Sequence, residues 1–108
     1  MKNIFKGYIC THEITTLAYF LMKNHNDSSK VKYVLGELFD LFNTIPVTEN
    51  ILREALNSKI NDYEDAVIEI SSLKNEMDYI ITRNLKDFKH SNVKSLSPSE
   101  FLALQNLQ

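Results

Sequence analysis

NDYEDAVIEISSLKNEMDYIITRNLKDF, Asn61 to Phe88, contains a helix start, a buried strand and the turn that leaves that strand. Asp62 opens a helix whose apolar stripe is Tyr63, Ala66, Val67, Ile70, Leu73 and Met77. YIIT, Tyr79 to Thr82, is an almost purely apolar run, the pattern of a strand buried on both faces. TRNLKDF then turns away from the end of that strand. A helix feeding a buried strand predicts an α/β protein. In such proteins the reactive crevice lies outside the carboxyl ends of the strands.

The flanking sequence extends the pattern. GYICT, Gly7 to Thr11, is a short β-rich run. Thr11 is a candidate N-cap for a helix carrying Ile14, Leu17, Ala18, Leu21 and Met22 at helical spacing. The polar KNHNDSSK, Lys23 to Lys30, reads as a turn. A second helix from Ser28 or Ser29 carries Val31, Val34, Leu35, Leu38, Leu41 and Phe42. TIPV, Thr44 to Val47, is an edge strand, because Pro46 lacks a backbone donor. Thr48 caps ENILREALNSK, VKSLS (Val93 to Ser97) is the last strand, and Ser97 with Pro98 and Glu100 starts a terminal helix. The order β-α-α-β-α-α-β-β-α predicts a mainly parallel sheet with helices on its faces.

At 108 residues the chain has the size of one domain, and its 44% apolar content is enough for a core without staples. The net charge of −2 gives no global field that would draw nucleic acid, so any such contact needs a local patch. The single cysteine, Cys10, excludes an intrachain disulfide; it suits a reducing cytosol and reads as a buried small hydrophobe. No apolar run reaches the length of a membrane span. The start MKNIFKGYIC is too short in apolar residues, and too interrupted by Lys6, for a signal peptide. A cytoplasmic protein without membrane association is expected.

Two places carry candidate chemistry. Asp62, Glu64 and Asp65 stand at a helix start, where two readings are open. Carboxylates there can hold a hard divalent ion such as Mg or Mn. They can equally cap the first turn and complement the helix dipole. The second place is TRNLKDF. Asn84 and Asp87 offer oxygen ligands and Thr82 a hydroxyl, while Arg83, Lys86, Lys89 and His90 form a local positive cluster able to meet phosphate. A plain solvated loop with a turn-forming Asn is the other reading.

Asp62 to Leu102, DYEDAVIEISSLKNEMDYIITRNLKDFKHSNVKSLSPSEFL, resembles the C-terminal part of a PIN domain. The matching features are Asp-Ala at a helix start, an apolar strand ending in Thr-Arg-Asn, then Lys-Asp-Phe, a further strand, and a Pro-Ser-Glu-Phe-Leu helix. CTHEITTLAYFLMK resembles the preceding strand-to-helix unit, so the likeness runs from Gly7 onward. The resemblance implies a three-layer α/β fold in a single domain over 1–108. It also implies a ribonuclease dependent on Mg or Mn, like the toxin subunits of bacterial toxin–antitoxin pairs, with RNA as substrate and an antitoxin as a possible partner. It carries Asp65 over as the metal ligand of Asp-Ala. Asn84 stands where many members have an acid, and Asp87 contributes from one turn on. The acid of the early helix falls near Thr16, with Glu13 on the same helix face as a substitute. The implied roles are therefore Asp65, Asp87 and Glu13 in catalysis and Asp65, Asn84 and Asp87 at the metal. Arg83, Lys86 and Lys89 would meet RNA, and Thr82 would offer its hydroxyl to substrate.

The departure from the family is at the start. PIN domains begin with a strand ending in an Asp-Thr-Asn type motif whose Asp is a ligand, and nothing here matches it. The expectation is a member lacking the usual first strand, which is central in the family sheet. The strand at 7–11 then has to pair with 79–82 or accept a strand from another chain, and a homodimer would cover the edge. Two function classes follow: a metal-dependent ribonuclease, weak or inactive in this form, and a non-catalytic module that binds nucleic acid or dimerises. A receiver-like signalling domain would want paired acids after its first strand, and this chain has none there.

Overall fold

The computed structural model describes residues 5–106. The expected domain of 1–108 therefore extends past the described residues at both ends. Two compact units are present: one is Lys6–Val47, and the other runs from Thr48 and includes Phe5.

The first unit is a parallel strand pair joined by a helical hairpin: β1 (Tyr8–Cys10), α1 (Thr11–His25), α2 (Ser28–Leu41) and β2 (Asn43–Ile45). β1 pairs with β2 in register Tyr8↔Asn43, Ile9↔Thr44 and Cys10↔Ile45. Cys10, not Thr11, is the N-cap of α1. The Glu13 carboxylate reaches back to accept the Cys10 N–H at 3.1 Å, so a residue with little capping tendency is held by its third neighbour. Thr11 acts instead across the unit, its hydroxyl accepting the Val47 N–H at 3.0 Å. Asn26, at φ 48°, ends α1 in the left-handed conformation that asparagine tolerates. Asp27 caps α2 by accepting the Ser29 and Lys30 N–H groups. Pro46 directly follows Ile45 and stops β2 two residues short of the expected Val47. Cys10, Val31 and Ile45 are buried. The apolar stripe expected on α2 is divided: Val31 is buried, Leu35 and Leu38 are half-buried, and Val34, Leu41 and Phe42 are exposed, Leu41 at 72%.

The second unit contains α3 (Glu49–Ala55), α4 (Tyr63–Lys74), β3 (Ile80–Ile81), a one-turn 3-10 helix (Leu85–Phe88), β4 (Ser95–Leu96) and α5 (Pro98–Asn106). Its core is Ile51, Ala55, Ile60, Ala66, Val67, Ile80, Phe88, Val93 and Leu96. α3 packs against α4, and β3 runs parallel to β4 with Ile80↔Ser95 and Ile81↔Leu96. Thr48 caps α3 as expected, its hydroxyl accepting the Ile51 N–H at 3.3 Å. α5 opens with a reciprocal capping box: Ser97 Oγ accepts the Glu100 N–H at 3.1 Å and Glu100 Oε1 accepts the Ser97 N–H at 2.9 Å. α4 ends in a Schellman turn, with the Met77 N–H donating to Ser72 O, the Glu76 N–H to Leu73 O, and Glu76 at φ 56°.

Three expectations change. β3 is shorter than 79–82 and buried on one side only: Ile80 is 6% exposed and Ile81 45%. On α4 the inward face is Ala66, Val67, Glu69, Ser71 and Ser72, whereas Leu73 is 42% exposed. Ser72 satisfies its hydroxyl on Ile68 O at 2.7 Å. Finally, the described ladders are β1 with β2 and β3 with β4; the ladder expected between 7–11 and 79–82 is not one of them.

Candidate functional site

Asp62 answers half of the question at the start of α4. Its Oδ1 accepts the Asp65 N–H at 3.0 Å, the N-cap geometry. Tyr63 adds a second anchor by donating its hydroxyl to Leu52 O at 2.7 Å, which ties the start of α4 to α3. Asp65 sits in the first helical turn, half-buried, and the neighbouring Glu64 is exposed. The cap is thus supplied by Asp62, and Asp65 is the acid that this helix start presents beyond it.

The turn after β3 is built by local hydrogen bonds. The Thr82 N–H continues the ladder to Leu96 O at 3.0 Å. The Thr82 hydroxyl accepts the Asn84 N–H at 3.0 Å, the hydroxyl-closed turn that threonine favours. Asn84 O in turn accepts the Asp87 N–H at 3.1 Å, opening the 3-10 turn. Phe88, 5% exposed, pins that turn into the core. Arg83, Asn84, Lys86, Asp87, Lys89 and His90 all remain exposed around it. Among the described residues the ion pairs are Arg53–Glu49 and Lys74–Glu54, so Arg83, Lys86 and Lys89 are not engaged by acids. Three cations and one acid, Asp87, make this a local positive patch on a chain of net charge −2.

Glu13 lies in the other unit, in the first turn of α1, where its carboxylate serves the helix start. Thr16, on the same helix, donates its hydroxyl to His12 O at 3.3 Å. Among the described residues, no three His, Cys, Asp or Glu side chains converge on a point that could hold a metal. A hard cation such as Mg or Mn wants several oxygen ligands, carboxylates foremost. Among the described residues no such set of carboxylates is gathered.

Sequence reading missed one residue of this region. Glu69, one turn after Asp65 on α4, is 2% exposed. Its Oε1 accepts the Ser58 hydroxyl at 2.7 Å and its Oε2 accepts the Asn92 N–H at 2.7 Å. The signal was a glutamate set between Ile68 and Ile70 in an otherwise apolar run, where a charge is out of place unless hydrogen-bonded.

A profile of the PIN domain matches residues 1–86. The chain belongs to the PIN-domain family. No curated protein matches it significantly. PIN domains are a nuclease-type family that generally uses divalent metals and binds RNA. The α/β order and the short parallel strands of this PIN domain agree with that membership. The match covers Glu13, Asp65 and Thr82 to Lys86 and ends one residue before Asp87. The motif from Asp87 to Leu102 therefore rests on its own residues. Among the described residues no helix is long and apolar enough to cross a membrane.

Proposed function

We propose that this PIN domain, as one domain over 1–108, engages RNA phosphates through the turn from Arg83 to Lys89 and hydrolyses RNA feebly at most as a single chain. The observation that carries the reading is the turn itself: three exposed, unpaired cations on a backbone closed by Thr82 and pinned by Phe88. Fixed cations meet phosphate with less ordering to do on binding than cations on a loose loop. The second reading, a Mg- or Mn-dependent ribonuclease with Asp65, Asn84 and Asp87 at the metal and Glu13 assisting, is favoured by the family match over Asp65 and Asn84. A toxin–antitoxin setting and a homodimer belong with that reading, and the outward apolar side chains of α1 and α2 are compatible with a protein partner.

One preparation tests both. Anisotropy of a fluorescein-labelled single-stranded RNA is followed against salt. Three phosphate contacts give a log–log slope of about −2, and Arg83→Ala/Lys86→Ala/Lys89→Ala should abolish most of the binding and the slope. Unchanged binding in the triple variant would refute the assigned patch. Cleavage of the same RNA with Mn, with and without EDTA, decides between the readings. EDTA-sensitive turnover lost in Asp65→Asn would establish the ribonuclease.

A further inference from the structure

We propose that Glu69 is the positioning residue of the RNA-contacting turn, an inference that rests on the RNA-binding reading above. The basic segment needs holding at both ends. At its start, β3 and Thr82 do this through the Leu96 and Asn84 bonds. Past Lys89 no regular element follows until β4, and the chain is held by a different set of bonds. The Ser91 N–H donates to Phe88 O at 3.0 Å, Ser91 Oγ accepts the Val93 N–H at 3.0 Å, and between them the Asn92 N–H donates to the Glu69 carboxylate at 2.7 Å. Of these three, the Asn92 bond alone reaches beyond the turn and its immediate continuation, to α4. It is short and charge-assisted, the stronger class of hydrogen bond.

The same carboxylate holds a second strip of chain. Its other oxygen accepts the Ser58 hydroxyl at 2.7 Å, and Ser58 Oγ accepts the Ile60 N–H at 3.1 Å. Glu69 thereby joins the loop between α3 and α4 to the segment that follows Lys89 and His90, with α4 as the rigid support. It lines a cleft of about 340 Å³ together with Ser58, Lys59 and Asn92. Loss of the bond to Asn92 frees the segment on that side. A buried carboxylate whose two oxygens each receive a donor from a different loop sets the distance between those loops. A glutamine can keep the arrangement without the charge: its carbonyl accepts from Asn92 and its amide donates to the Ser58 oxygen. An alanine can keep neither bond.

The experiment compares wild type, Glu69→Ala and Glu69→Gln by the labelled-RNA titration against salt and by amide hydrogen exchange over Lys89–Asn92. A destabilised but correctly shaped protein loses affinity with the salt slope intact, because each folded molecule still meets the same phosphates. A displaced turn meets fewer. The expected result for Glu69→Ala is a slope shallower by about 0.7, one phosphate contact on single-stranded nucleic acid, with faster exchange at Asn92. Glu69→Gln should restore the slope and most of the protection. An unchanged slope in folded Glu69→Ala, with or without lost affinity, overturns the proposal. Should Glu69→Ala fail to fold, Glu69→Asp, which withdraws the carboxylate by one methylene and keeps its charge, undergoes the same two measurements. If wild type itself binds no RNA, the RNA reading fails, and Asn92 exchange still decides whether Glu69 holds the segment.

Discussion

The face that α4 turns inward can be tested by one pair of truncations. Val67 is 1% exposed and Leu73 is 42% exposed, although both fall on the apolar stripe read from sequence. Val67→Ala removes two methyl groups from full burial. At about 0.8 kcal/mol per buried CH₂ the transfer loss is about 1.6 kcal/mol. Val67 lies against a packed core, so the vacated space closes only in part and a cavity contribution adds to this; a total of about 2–3 kcal/mol is expected. Leu73→Ala removes a larger side chain that water already reaches, and should cost less than about 1 kcal/mol.

Urea unfolding monitored by circular dichroism gives both values, the midpoint shifting at constant slope if stability alone has changed. The discriminating quantity is the order of the two variants, since any common error in extrapolation cancels. A larger loss for Leu73→Ala than for Val67→Ala would show that α4 turns the other side inward. The placement of Glu69, which follows from the same rotation of the helix, would then be wrong as well.

Three further outcomes are expected. Glu76 holds the left-handed position of the Schellman turn at φ 56°, where an L-residue is disfavoured by about 1–2 kcal/mol. Glu76→Gly should therefore raise stability by about 1 kcal/mol net of the extra chain entropy of glycine, seen as a higher melting temperature. Asp62→Ala removes the cap on the Asp65 N–H and should cost about 1 kcal/mol in urea unfolding; no loss would mean that Asp62 is not the working cap. Asp65→Asn keeps the side-chain shape and removes the charge; under the metal-dependent reading, paramagnetic broadening of the Glu64 and Asp65 amides by Mn should weaken. Undiminished broadening would exclude Asp65 as a ligand.

Where local chemistry decides, the sequence was readable. Thr48, Asp62 and the Ser97–Glu100 box cap the helices they were expected to cap, because each cap needs only residues within three or four positions. Thr11 failed by one residue, since its hydroxyl is used by Val47, thirty-six positions away, which no local rule reports. The apolar stripes located helices but not their inward faces. Leu41 and Leu73 match the stripe and face out, whereas Ser71 and Glu69 do not match it and face in. Strand pairing was not legible: β1 with β2 and β3 with β4 are choices among parallel partners of similar composition. At the candidate site, the basic turn could be read from its residue types. Glu69 could not be assigned, because its partners are a serine and a backbone amide eleven and twenty-three residues away.

The opening acids of DYED divide into two functions because the helix needs only one cap. Asp62 meets that need and is fixed by it. Asp65 comes one turn before Glu69, and residues four apart share a helix face. That face of α4 therefore changes character along its length. Its first turn presents a half-buried acid near the helix start, and its second turn a fully buried one whose oxygens are both taken by loops. Each oxygen of Glu69 already receives a donor at 2.7 Å, from the Ser58 hydroxyl and from the Asn92 N–H, so its orientation is fixed by two loops. The spacing of Glu69 from Asp65 therefore does not by itself make the two a ligand pair, and the bonds observed at Glu69 are those of a loop anchor. On this helix spacing alone would suggest a two-acid ligand pair, and the hydrogen bonds assign the second acid to holding the chain in place.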